Sequence, residues 1–148
     1  MLKRKIFPVL LALMLLTTFT ACGKSSDSTP VIPEKANKFE VVYLAVYNRN
    51  ADVEHPTITD ELQEIIIECV KASSMHLVKD QSRRSQSPGI DLDITYEIEG
   101  KFQHRLLSIG SDPDDICVVQ GIDTDNDSFY VLDDGYSLFK QLSERISN

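Results

Sequence analysis

The chain has 148 residues, with 15 Lys and Arg against 23 Asp and Glu and a net charge of −8. It has no basic stripe interleaved with aromatic residues, and an acidic surface repels phosphate backbones, so composition argues against nucleic-acid binding. Its 42% hydrophobic content and three cysteines fit one modest globular domain, too long to need a framework of disulfides and too short for several cores.

The N-terminus is the most specific stretch. Lys3, Arg4 and Lys5 precede an apolar run from Ile6 to Leu16, which leads into Phe19-Thr20-Ala21-Cys22 and Gly23. A basic start, an apolar core and small residues before a cut site form a secretory signal peptide over residues 1–21. The span from Ile6 to Ala21 is shorter than the roughly 18 to 20 apolar residues of a membrane-crossing helix, and Pro8 interrupts it. With Cys22 directly after Thr20-Ala21, the chain resembles a bacterial membrane lipoprotein precursor, although Phe19 stands where that family usually has leucine. The resemblance covers about the first 23 residues. It implies that the Cys22 thiol carries the lipid (palmitate among its acyl chains), that cleavage falls before Cys22, and that the mature protein sits on the extracytoplasmic face of the cell membrane. Two acyl chains suffice for stable attachment, at about 0.8 kcal/mol per buried methylene. Loss of Lys3, Arg4 and Lys5 leaves 12 basic against 23 acidic side chains, a mature charge of about −11.

Residues 22–37 are rich in Ser, Pro, Lys and Asn and read as the lipidated cysteine followed by a flexible tether. Residues 38–148 then form one extracytoplasmic domain. Phe39 to Tyr47 is a dense β-forming run, apolar on both faces, which predicts a central strand. Asn48 to Pro56 is a polar loop. Thr57 is positioned to cap a helix in which Ile58, Leu62, Ile65, Ile66 and Cys69 recur at helical spacing, with Asp60 and Glu61 at its positive end. Met75 to Val78 predicts a short strand, and Lys79 to Gly89 an exposed loop.

Leu92, Ile94, Tyr96 and Ile98 alternate with Asp93, Thr95, Glu97 and Glu99, the pattern of a half-buried strand. Glu99-Gly100 predicts a hairpin turn into a partner strand over Lys101 to Ile109, where Phe102, His104 and Leu106 share the inner face. Turns at Ser111 to Asp114 and Asp123 to Asp127 flank a strand over Ile116 to Ile122. A last strand, Phe129 to Leu132, is followed by a helix capped by Asp134, with Leu138, Phe139, Leu142 and Ile146 on one face. Short turns between strands exclude parallel crossovers. The expected fold is therefore α+β: an antiparallel sheet of five to six strands with two helices packed on one face, in a single domain.

The candidate sites are few. Cys69 and Cys117 are the thiols left after Cys22; they form either a disulfide, which the compartment permits, or two buried free thiols. Asp123, Asp125, Asp127 and Asp134 stand at positions 1, 3, 5 and 12 of a twelve-residue stretch that resembles a calcium loop of the EF-hand or dockerin kind. Ser128 replaces the glycine of position 6, and a solvated acidic turn is the competing reading. Arg83 and Arg84 are a candidate anion contact. His55, His76 and His104 are far apart in sequence and read first as structural histidines. Tyr43, Tyr47, Tyr96, Phe102 and Tyr130 line either a ligand cleft or the core. There is no Gly-x-Ser-x-Gly elbow and no glycine-rich phosphate loop.

These features make the chain a membrane-anchored envelope domain that binds a protein, a polymer or a small ligand without catalysis. It carries no cofactor beyond the covalent lipid. The alternatives are a small envelope enzyme such as a hydrolase, and a calcium-binding surface domain.

Overall fold

The structure, a computed structural model, describes residues 27–48, 52–79, 89–124 and 128–147. Eight strands form one antiparallel sheet: β1 (Thr29–Pro30), β2 (Asn37–Tyr47), β3 (Val53–Glu54), β4 (Ser74–Val78), β5 (Gly89–Ile98), β6 (Lys101–Gly110), β7 (Val118–Gln120) and β8 (Phe129–Leu132). Helix α1 (Asp60–Lys71) lies between β3 and β4 in the chain, and α2 (Gly135–Ile146) follows β8. The order across the sheet is β1-β4-β8-β7-β6-β5-β2-β3. The α+β expectation of an antiparallel sheet with two helices holds at this level. The strand count exceeds five to six because β1 and β3 are two-residue edge pieces, too short to show an alternation in sequence.

The β5–β6 hairpin carries the sheet. Its ten paired positions run from Gly89↔Gly110 to Ile98↔Lys101. Glu99 and Gly100 both have positive φ, 51° and 79°, as a two-residue turn matched to strand twist requires. On one face Ile90, Leu92, Ile94 and Tyr96 of β5 oppose Ile109, Leu107, Arg105 and Gln103 of β6. The helices bury this face: Ile66 and Val70 of α1 and Leu138 and Leu142 of α2 join the inward strand residues in one core. The helices also pack on each other. On the opposite face Asp91, Asp93, Thr95 and Glu97 oppose Ser108, Leu106, His104 and Phe102.

Several expectations are corrected. Phe102, His104 and Leu106 face outward, and Arg105, Leu107 and Ile109 face the core. Both phases of β6 contain apolar residues, and the choice is made by β5, whose buried Ile90 and Leu92 pair with Ile109 and Leu107. β2 is not central but next to the edge, so Val42 and Tyr43 stay exposed. Thr59, rather than Thr57, caps α1 by accepting a hydrogen bond from Leu62 N at 3.2 Å. The helix accordingly turns Ile66 and Val70 inward, while Ile65 stays half-buried outside the core cluster. The strand expected over Ile116–Ile122 shrinks to Val118–Gln120. Asp134 caps α2, accepting from Ser137 N at 3.1 Å.

Residues 29–32, expected within a flexible tether, are part of the folded domain. Val31 is fully buried and Ile32 nearly so, and β1 pairs with β4 through Thr29↔Met75 and Pro30↔Ser74. Burying two such side chains contributes about 1.5 to 3 kcal/mol each. Pro30 and Pro33 hid this in the sequence, because proline-flanked apolar pairs show no periodicity.

Arg105 fastens this strap. It is only 7% exposed, on the inner face opposite Ile94. Its Nε donates to Val31 O at 3.2 Å, and its Nη1 donates to His104 O at 2.9 Å and Gly121 O at 2.6 Å. The guanidinium lies 5.3 Å from the centre of the Tyr96 ring. Burial lowers its pKa, and the two tyrosines Tyr96 and Tyr130 work in the opposite direction. Replacing Arg105 with Leu leaves these buried carbonyls without that donor. We expect a stability loss of about 2 to 4 kcal/mol, read as a lower urea midpoint at constant m-value; an unchanged midpoint would show that the strap is held without Arg105.

Candidate functional site

The α1–β4 junction is where polar chemistry gathers. Helix α1 ends at Lys71; Ala72 N bonds back to Glu68 O, and Ser73 Oγ donates to Cys69 O at 2.9 Å. The chain then enters β4 at Ser74. A cavity of about 300 Å³ opens on one side of this turn, between it and the strap, lined in part by Ser28, Ile32 and Lys71. A second, of about 170 Å³, opens toward the start of α2, lined in part by Cys69, Asp133, Ser137 and Gln141. Ser73 and Ser74 border both.

Asp133 is the hub. It follows β8, and its backbone N–H donates to Ser74 O at 2.9 Å, extending the β4–β8 pairing. Ser74 Oγ donates to Asp133 Oδ2 at 2.5 Å, and His76 Nδ1 pairs with Oδ1 at 2.6 Å. Ser28, just before β1, lies near the carboxylate and favours its charged form as well. Partial burial pushes the Asp133 carboxyl up. The Ser74 and His76 hydrogen bonds, Ser28 and the His76 charge outweigh it and hold the group below the usual carboxylate range.

This arrangement contains a Ser, a His and an Asp, yet in the wrong order for nucleophilic catalysis. A serine nucleophile needs its hydroxyl on the histidine, with the carboxylate behind the ring. Here the carboxylate sits between them and takes both. A depressed pKa also makes Asp133 a weaker base, the opposite of what proton abstraction from a serine requires. The cluster is a clasp joining the Ser28 segment, β4 and the β8–α2 corner.

The residues singled out from sequence are dispersed. Cys69 and Cys117 are free thiols, not a disulfide. Cys69 is half-buried on α1. Cys117 precedes β7, where its Sγ accepts from Gly110 N at 3.3 Å. Burial raises the pKa of both, so neither has the thiolate character of a reactive cysteine. Asp123 is exposed in the turn after β7, and Asp134 caps α2. Cys22, Arg83, Arg84, Asp125 and Asp127 lie outside the described residues. Among the described residues no group of three or more His, Cys, Asp and Glu is placed to hold a metal.

His55 Nδ1 contacts Leu44 O at 3.3 Å, and its ring meets Tyr43 edge-on at 5.7 Å. His104 Nδ1 lies 3.7 Å from Asp93 Oδ1 on the uncovered face. The aromatic set divides: Tyr96 and Tyr130 face the core, whereas Tyr43, Tyr47 and Phe102 lie on the other side of the sheet. Asp133, Ser74 and Ser28 escaped sequence reasoning because they are 46 to 105 residues apart and meet only through strand pairing.

Compared with known proteins, the chain matches no protein-family model, no curated protein and no solved structure.

Two predictions follow from this geometry. Because the folded-state pKa of Asp133 lies below its unfolded value, its stabilisation is complete above the unfolded value and fades as pH falls through the folded one. Asp133→Asn should therefore lower stability by about 1 kcal/mol at pH 7 and flatten the acid limb below about pH 4; parallel pH–stability curves for mutant and wild type would refute the clasp. Gly135 sits so close to Cys117 that a Cβ there would lie 2.3 Å from its Sγ. Gly135→Ala should cost about 1 to 3 kcal/mol, and adding Cys117→Ala should recover part of it in thermal melts.

Proposed function

We propose that the chain is a lipid-anchored extracytoplasmic domain that works by binding, with Cys22 as the acylated residue after cleavage of residues 1–21. The observation that carries the non-catalytic reading is the Asp133 clasp. Here, among the described residues, a serine, a histidine and an aspartate meet, and all three hold the N-terminal segment against β4 and β8. The lipoprotein reading rests on Lys3-Arg4-Lys5, the apolar run and Thr20-Ala21-Cys22. Among the described residues no helix is long and apolar enough to cross a membrane. On this reading the strap has a mechanical sense. The folded domain begins within a few residues of the anchor, and Val31, Arg105 and Ser28 secure the end nearest the membrane.

The test has two arms. Cys22→Ala should move the protein from the membrane fraction to the medium, or leave it as uncut precursor, and abolish labelling by an alkyne-tagged palmitate; unchanged fractionation and mass would overturn the anchor. Ser74→Ala and His76→Ala should leave hydrolysis of a nitrophenyl ester at the level of the wild-type protein, and a fall of about a hundredfold or more in either would instead establish a hydrolase.

A further inference from the structure

The sheet face opposite the helices has an ordered surface chemistry. Along β5 run Asp91, Asp93, Thr95 and Glu97, half-buried and acidic at three of four positions. On the β2 side lies Tyr43, 42% exposed, opposite Asp93. On the β6 side lie Leu106, 37% exposed and opposite Asp93, and Phe102, 72% exposed and opposite Glu97. The face is thus an acidic ridge flanked by Tyr43 on one side, with Glu40 beside it, and by Phe102 and Leu106, separated by His104, on the other. Glu97 is paired with Lys38 at 2.7 Å, and Asp91 hydrogen-bonds Tyr47, whose hydroxyl pKa that bond and charge push up to about 12. Asp93, in the middle, has one carboxylate oxygen shut off from water with no hydrogen-bond partner, and the His104 ring nitrogen Nδ1 stops 3.7 Å from it.

Building on the binding function proposed above, we infer that this face receives an amphipathic helix of a partner protein that carries a basic stripe flanked by apolar residues. Charge selects the partner: a mature chain of about −11 with three carboxylates along β5 beside exposed Tyr43, Leu106 and Phe102 attracts cations and rejects acidic surfaces. Dimensions select the helix. Tyr43 on β2 and Leu106 on β6, both opposite Asp93, are two strand spacings apart, roughly 10 Å, the width of a helix. Carboxylates two residues apart on a strand are spaced by about 6.6 Å, close to the roughly 6 Å between lysines at i and i+4 of a helix. A helix laid along β5 sets its cations over the ridge and its apolar flanks on Tyr43, Leu106 and Phe102. An extended strand does not, because its alternate residues point away from the surface.

The experiment uses the full-length protein in detergent micelles, where anchorage plays no part, so its outcome is independent of the Cys22 test. The probe is an eighteen-residue synthetic helix with lysines in an i, i+4 stripe bordered by leucines; the control peptide has glutamate in place of lysine. Binding is followed by fluorescence anisotropy at physiological salt. The lysine peptide should bind at least about tenfold more tightly than the glutamate peptide. Asp91→Asn with Asp93→Asn should weaken it about tenfold or more, and so should Phe102→Ser, which alters a surface side chain and leaves the core untouched. Glu64→Gln with Glu68→Gln, which removes the same charge from the exposed side of α1, should leave affinity within about twofold. Equal weakening by the α1 variant would reduce the effect to net charge, and binding indifferent to the face variants, or no binding, would overturn the inference.

Discussion

A guanidinium buried among aliphatic side chains must find acceptors inside the protein, and the way Arg105 finds them organises the fold. It projects from the middle of β6 into the core and gathers carbonyls from the N-terminal strap, from its own strand and from the turn after β7. Charge-assisted hydrogen bonds to carbonyls and the Tyr96 face offset the desolvation that burial imposes. The outcome is a constraint rather than a large net stabilisation. Val31 has to lie where its carbonyl meets Nε, and that position delivers Val31 and Ile32 to the core and β1 to the edge of β4. The strap meets the sheet a second time where Ser28 lies beside Asp133.

This double contact matters for a chain read as tethered at Cys22. Two two-residue strands form the sheet edges, and each leaves little unpaired backbone of its own. At the β2 edge, where β3 covers only Val46 and Tyr47, side chains meet part of the remaining backbone: Gln63 accepts from Val41 N at 3.0 Å, and His55 lies against Leu44 O. The edges are thus partly shielded, and among the described residues the wide surface without a helix over it is the face built on Tyr43, Asp93, Leu106 and Phe102. Function is sought there and not at the Ser–His–Asp meeting point, whose depressed carboxyl pKa and central carboxylate suit a clasp.

Much of the fold was legible in local pattern. The hairpin at Glu99-Gly100, the strand Phe129–Leu132 and the Asp134 cap of α2 follow from turn chemistry, alternation and capping, each of which acts within a few residues. The misreadings share one cause. Phe102-x-His104-x-Leu106 and Arg105-x-Leu107-x-Ile109 are both plausible inner rows, and the first even avoids burying an arginine. The phase of β6 is set by β5 across the ladder, and Arg105 is tolerated inside because carbonyls from distant segments converge on it. Val31 and Ile32 looked like tether for the same reason: two apolar residues between prolines become core only when there is an inner face to receive them.

By itself, then, the amino-acid sequence determined the class of fold, most of its hairpins and helices, the acidic net charge, and the Cys22 motif that proposes a membrane address. Periodicity, turn residues and composition are local quantities and survive in one dimension. Tertiary structure alone decided which row of β6 is buried, that Val31 and Ile32 belong to the core, that the two thiols are free, and that Ser28, Ser74, His76 and Asp133 meet. Those outcomes depend on strand order and register across up to 105 positions of chain, from Ser28 to Asp133. A side chain's partner is chosen by the sheet that holds it, and no neighbour in sequence carries that information.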